Sequence, residues 1–167
     1  MSTAIIGVSA SGETEIRSKY PSIASTAPGR FLGSLYDSFP LRIWGIKLSY
    51  LIFVLPTAPL GVLLYTLNKL AGERYVLTNR SVQQWAVIGL RQYQSVNLTD
   101  IAEIEYSEQP GQQYFGAGNL ILKNAKGDPI MRINGVKDAD VFRQVIEKAR
   151  DARSGAEESL AAIEARA

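Results

Sequence analysis

The spacing of hydrophobic positions changes twice along the chain. Residues 48–67, "LSYLIFVLPTAPLGVLLYTL", carry no charged side chain. At ~1.5 Å per residue such a run reaches about 30 Å as a helix, the thickness of a bilayer's hydrocarbon core. It is apolar on every face, and the rest of the chain offers too little helix to surround it, so the pattern predicts a membrane-embedded segment over residues 41–72. Pro56 and Pro59 leave two forms open. One is a single kinked span at 48–67. The other is a hairpin in which "PTAP" turns the chain back, each arm entering the bilayer without crossing it. A hairpin keeps the basic residues of both flanks on one side, as the bias of Lys and Arg towards the cytoplasm favours.

From Glu73 the period shortens to two. "ERYVLT", "VQQWAVI", "RQYQSVNL", "IAEIEYSE", "NLILKN" and "PIMRING" read as six short strands, separated by "NRS", by the Gly/Pro loop "EQPGQQYFGAG" and by the hairpin turn "AKGD". After "NGVKD" the period becomes helical. Val141, Phe142, Val145, Ile146 and Ala149 fall on one face, and Arg143, Glu147, Lys148 and Arg150 on the other. Asp138 stands where an N-cap belongs, and residues 148–153 end the helix with the charge its dipole favours. The predicted fold is α+β. The membrane-embedded helical segment leads into a rolled sheet or barrel over residues 73–153, capped by the C-terminal amphipathic helix. Residues 154–167 read as a polar tail into which that helix can continue. Residues 1–40, irregular and rich in Ser, Thr, Gly and Pro up to about Arg30, read as a mobile arm. The start "MSTAIIGV" lacks the basic region and apolar length of a secretory leader.

Composition narrows the chemistry. The chain has no cysteine and no histidine, which removes disulfides, thiolate and imidazole metal sites, and nucleophiles activated by imidazole. Glu103 and Glu105 sit at alternate positions of one strand, as on a solvated face, and make no acid/base pair. An enzyme is not expected, nor is a cofactor or a metal. Residues 1–72 carry six basic and three acidic side chains, and residues 73–167 carry twelve and thirteen. The globular part therefore offers no basic field for nucleic acid. Arg42, Trp44, Lys47 and Tyr50 on one flank of the apolar run, with Tyr65 and Lys69 on the other, suit the headgroup interface.

The stretches "YVLTNRSV", "LTDIAEIEY", "FGAGNLILKN" and "INGVKDADVFRQVIEKAR" resemble a bacterial pleckstrin-homology-like (PH-like) domain of the membrane-associated type, over roughly residues 73–150. The resemblance implies a PH-like fold behind membrane helices, usually a pair, where this chain has one span or a short hairpin. It also implies a ligand site at the first strand-turn-strand, where lipid-binding relatives cluster Lys and Arg. Here that turn offers Arg80 alone, and an ordinary turn residue is the plainer reading. Lys123 and Lys126 are candidate contacts to anionic lipid, against a solvated hairpin tip. Tyr114 and Phe115 are a candidate partner-contact loop, against a role tucked into the end of the barrel.

Two function classes follow. The first is a membrane-anchored, non-enzymatic binding or scaffold module, its PH-like domain held at the cytoplasmic face of a bacterial inner or plasma membrane. Its partners would be the lipid bilayer and a membrane protein whose identity the sequence leaves open. The second is an accessory subunit of a membrane enzyme or transporter complex. The lack of ionisable residues in the apolar run counts against transport by this chain itself. Nothing in the pattern sets an oligomeric state.

Overall fold

The computed structural model describes residues 12–165. All six expected strands form: β4 (Glu73–Thr78), β5 (Ser81–Ala86), β6 (Gln92–Asn97), β7 (Glu103–Ser107), β8 (Ala117–Lys123) and β9 (Pro129–Lys137). Three further strands precede them, β1 (Glu15–Lys19) and the two-residue pair β2 (Arg42–Ile43) and β3 (Ile46–Lys47). One antiparallel sheet has the order β1-β4-β5-β6, and a second has the order β7-β8-β9. Between them lies a core that includes Tyr75, Leu77, Val82, Leu98, Leu120, Leu122, Ile133 and Val136.

The sheet does not close into the expected barrel. Strand β6 exposes Gln92, Tyr93, Gln94 and Ser95 and gives the core Val96. A strand with one inward apolar residue gains little by pairing on both edges. Where β6 approaches β9, a side chain bridges the gap: Gln94 donates to the Ile130 carbonyl oxygen.

The closing helix α3 (Ala139–Glu164) runs for 26 residues and takes in residues 154–164 of the expected tail. Phe142 and Ile146 are fully buried, Val145 and Ala149 pack half-buried, but Val141 is exposed. The helix has a narrower apolar stripe than the sequence pattern suggested, and Val141 falls at its margin. Asp138 precedes the helix with φ 52° and ψ 48°, so its side chain makes no cap and lies 3.8 Å from the Lys19 ammonium instead.

Of the two forms left open at "PTAP", the hairpin does not form. A π-helical turn (Tyr50–Val54) leads without a break into α2 (Leu55–Ala71), a 22-residue helix from Tyr50 to Ala71. Pro56 stands where the π-helical turn passes into α2, and Pro59 is accommodated within α2. Residues 15–37, expected as an irregular arm, form structure on the domain. β1 pairs with β4, the 3-10 turn Ile23–Ser25 sits on β9, and α1 (Ala27–Asp37) follows. Thr26 caps α1 by accepting from the Gly29 amide, and Pro28 begins it. Residues 1–11 lie outside the described residues.

Candidate functional site

Helix α1 is a layer between α2 and the sheets, and its sequence explains the fit. Gly29, Leu32, Gly33 and Tyr36 are its buried face. A Cβ on Gly33 would collide with the Gly111 carbonyl and come within 2.9 Å of Phe115 Cε2, so glycine is what lets α1 meet the β7–β8 loop at backbone distance. A buried amide network ties that loop to the segment before α1. Gln112 donates to Asn119 Oδ1 at 2.8 Å and to the Ala24 carbonyl oxygen at 3.3 Å, and Asn119 Oδ1 also accepts from the Gly135 amide at 2.8 Å.

On its other side α1 runs antiparallel to α2. The Tyr36 hydroxyl and Thr57 hydroxyl are hydrogen-bonded at 2.6 Å. At the opposite end Asn68 Nδ2 donates to the Ser22 carbonyl oxygen at 3.0 Å and to Pro21 and Ser25 at 3.3 Å. Phe53, Thr57, Gly61, Leu64 and Asn68 form one half-buried stripe at helical spacing, and most of the other side chains of α2 are exposed.

Tyr114 and Phe115 turn towards this same layer. The Tyr114 ring meets Tyr36 at 5.0 Å, Tyr50 at 5.7 Å and Phe115 at 4.9 Å, each edge-on. Burial, with Tyr50 and Tyr36 beside it, pushes the Tyr114 hydroxyl above its ordinary pKa. The expected partner-contact loop therefore makes its aromatic contacts within the chain, holding the start of α2 to the domain.

The expected interface residues gather at the two ends of α2. At the N-terminal end, Trp44 and Gly45 form the turn of the β2–β3 hairpin, both with positive φ, and Trp44 is 99 % exposed. Arg42 is exposed beside them, and Lys47 pairs with Asp37 at 2.5 Å and lies 5.9 Å from the Tyr50 ring centre. At the C-terminal end Lys69 lies 5.7 Å from the Tyr65 ring centre. The β5–β6 turn adjoins this end, its Val87 amide donating to the Gly72 carbonyl oxygen at 3.1 Å, and it exposes Ile88 and Leu90. Sequence reasoning missed this second apolar tip, which reads as a continuation of a strand, and it missed Thr57 and Asn68, polar interruptions eleven residues apart on one face.

The candidate ligand residues lie elsewhere. Arg80 sits in the β4–β5 turn, and the Glu13 carboxylate is already bound there. Glu13 accepts from Ser81 Oγ at 2.6 Å, Thr78 Oγ1 at 2.7 Å and Gln83 Nε2 at 2.9 Å. The Ser81 and Thr78 hydrogen bonds, aided by the charge of Arg80, hold Glu13 below the usual carboxylate range. A phosphate at this turn would face that carboxylate. Lys123 is engaged by Glu105 at 2.7 Å across the strand pair, which raises its pKa, with Glu103 at 4.0 Å. Lys126 is exposed at the β8–β9 tip, at the far end of β9 from Gly135, where the 3-10 turn before α1 docks. At ~3.3 Å per residue that tip is some 20 Å or more from the α1–α2 layer.

A shallow cleft of about 480 Å³ lies beside α1, lined by Ser34, Asp37, Glu108, Gln109, Gly111 and Gln113. Among the described residues no group of three His, Cys, Asp or Glu is placed to hold a metal.

Two facing antiparallel sheets, a closing C-terminal helix and a helical layer at one end define a PH-like binding fold. The family model for bacterial PH domains matches residues 27–150, and the chain belongs to that family. The match begins at the first residue of α1 and ends within α3, so it takes in α1 and α2 as well as the strands. Domains of this type are generally binding modules and not enzymes. No curated protein and no solved structure matches the chain.

Proposed function

We propose that this protein is a membrane-anchored, non-enzymatic binding module. Helix α2 holds the PH-like fold at the cytoplasmic face of a bacterial membrane, where the domain serves as a scaffold for a membrane protein. One observation carries the reading. An apolar helix whose one charged side chain, Lys69, stands in its last turn, and most of whose surface is exposed, is joined to the first strand of the PH-like core by Gly72 alone. An apolar surface of that extent is seldom left in water, and a one-residue link gives the domain no freedom to leave whatever surface α2 enters. The family supports the binding role, and the chemistry of the α1 seam, shallow clefts with scattered carboxylates and amides, supports no catalytic alternative better.

The test is made on the full chain in native membranes. It stays with the membrane fraction through high salt, because burial of an apolar helix does not depend on charge. Release by that wash refutes anchoring by the helix. Crosslinking in the same membranes, read by mass spectrometry, yields a reproducible protein partner. Recovery of lipid adducts alone would replace the scaffold by headgroup binding.

A further inference from the structure

We propose that α2 lies in the plane of the membrane surface, its outer face in the apolar boundary layer, and does not cross the bilayer. This orientation rests on the anchoring proposed above and specifies its geometry.

The first ground is topological. β1 precedes α2 in the chain and β4 follows it, yet the two are paired, Arg17 opposite Leu77, Ser18 opposite Val76 and Lys19 opposite Tyr75. The chain stays on the domain after β1, where the Ser22 amide donates to the Gly135 carbonyl oxygen at 2.7 Å. Among the described residues α2 is the one helix long and apolar enough to cross a membrane. A single crossing would put β1 and β4 on opposite sides of ~30 Å of hydrocarbon, whereas paired strands lie about 4.8 Å apart. The uninterrupted helix leaves no re-entrant turn to bring the chain back.

The second ground is contact along the length of the helix. The bond between Tyr36 and Thr57 and the bonds from Asn68 to Ser22 and Ser25 hold α2 at points eleven residues apart, about 16 Å. Beyond them Tyr50 rests on Tyr114 and the Gly72 carbonyl accepts from Val87. Both ends of α2 touch the same domain, so the helix runs tangentially to it.

The opposite face says what covers it. Ile52, Leu55, Pro59, Val62, Leu63 and Leu70 point away from α1, with Leu55 79 % exposed, and the one hydroxyl among them, on Thr66, donates to the Leu63 carbonyl oxygen at 2.9 Å. Residues 38–72 carry Arg42, Lys47 and Lys69 and no acidic residue, which suits anionic headgroups. A lysine stands by a tyrosine ring at each end of the helix, and each end adjoins a hairpin tip with an exposed apolar residue, Trp44 on one and Ile88 and Leu90 on the other. Trp44 (φ 51°) and Leu90 (φ 47°) hold a backbone conformation that bulky residues rarely adopt, strain that persists at two exposed tips. An apolar stripe bordered by aromatic and basic residues is the pattern of an interfacial helix.

The test uses the full chain, which has no native cysteine, with nitroxide labels on Leu55→Cys, Val62→Cys and Leu70→Cys. The probe is a vesicle of phosphatidylcholine and phosphatidylglycerol, and immersion depth is read from collisions with oxygen and with an aqueous nickel chelate. All three labels are expected at one shallow depth, about 5–10 Å below the headgroups. A crossing would instead set Val62 near the bilayer centre and Leu70 about 12 Å further out. That profile overturns the in-plane orientation and leaves anchoring intact. Failure to float with vesicles, or a soluble dimer whose labels broaden one another, refutes the anchoring itself. As a second measurement, Glu15→Cys and Lys126→Cys are treated with a membrane-impermeant maleimide in sealed spheroplasts. Both give the same result before lysis if α2 lies in plane, and opposite results if it crosses.

Discussion

Replacing Gly33 by alanine probes the joint on which the placement of α2 depends. The added methyl would run into the Gly111 carbonyl and crowd Phe115, and Gly111, at φ 84°, is itself packed against the Arg30 carbonyl. The opposing groups are backbone on both sides, so relief requires moving α1 as a body. Overpacking of this kind costs about 1–3 kcal/mol, while alanine in place of glycine within a helix returns up to ~1 kcal/mol. The expected net is a loss of about 1–2 kcal/mol confined to the α1–loop joint, which raises local opening roughly 5–30-fold. Hydrogen exchange of the full chain reads it directly. Amides of Leu35 and Tyr36 exchange faster, and those of Leu120 and Leu122 in β8 do not. Gly155→Ala is the control: nothing lies within 4 Å of a Cβ there, so the same change in α3 should stabilise. If Gly33→Ala also stabilised, or if α1 and β8 responded alike, the backbone-distance joint would be refuted.

Other perturbations reach other parts of the molecule. Phe142→Ala opens a cavity beneath α3 and should cost about 3–5 kcal/mol in denaturant unfolding, since Phe142 is fully buried among core residues. A change within about 0.5 kcal/mol would mean that α3 does not dock there. Glu13 has a depressed pKa in the fold, so its contribution is present above its unfolded value and is lost as pH falls through the folded one. Acidification below about pH 4 should therefore weaken the wild type more than Glu13→Gln, as followed by denaturant titration at each pH. Lys126→Gln should leave binding to anionic vesicles unchanged, whereas Lys69→Gln should weaken it roughly five-fold, about 1 kcal/mol per basic residue at the surface. Equal effects of the two would place the β8–β9 tip on the membrane as well.

The six strands of the PH-like core were readable because their apolar residues alternate and their turns carry Asn, Gly, Pro and Asp. The apolar segment was readable for the opposite reason, an unbroken run. What could not be read was contact across sequence distance. Nothing local in "EIRSK" marks a strand, because β1 lies at a sheet edge and its residues are mostly exposed. Nothing local in "APGRFLGSLYD" says that Gly33 meets Gly111, nearly eighty residues on. The proline pair left two forms open for a specific reason. "PTAP" has turn chemistry, but Pro56 falls where the π-helical turn passes into α2, and the helix carries Pro59 without breaking. The candidate ligand residues were chosen by charge and loop position, and charge alone cannot show that Glu13 already occupies the turn of Arg80 or that Glu105 engages Lys123.

The weakest element in the sequence constrains the topology most. A helix inserted between two strands of one sheet must leave its flanks on the same side of any membrane it meets. An even number of crossings satisfies this, and so does none, but a single crossing does not. Two membrane helices would meet the rule by crossing and returning. Here one apolar helix lies between β1 and β4, and its side towards the domain is stitched to α1 by Thr57 and Asn68, polar groups that a span facing lipid all round would have little use for. Hydropathy is blind to this parity, because it scores a run of residues and not where its two ends go. The five residues of β1 carry that information, and the pairing of Lys19 with Tyr75 states it most directly, since both stand within a few residues of the helical layer they bracket.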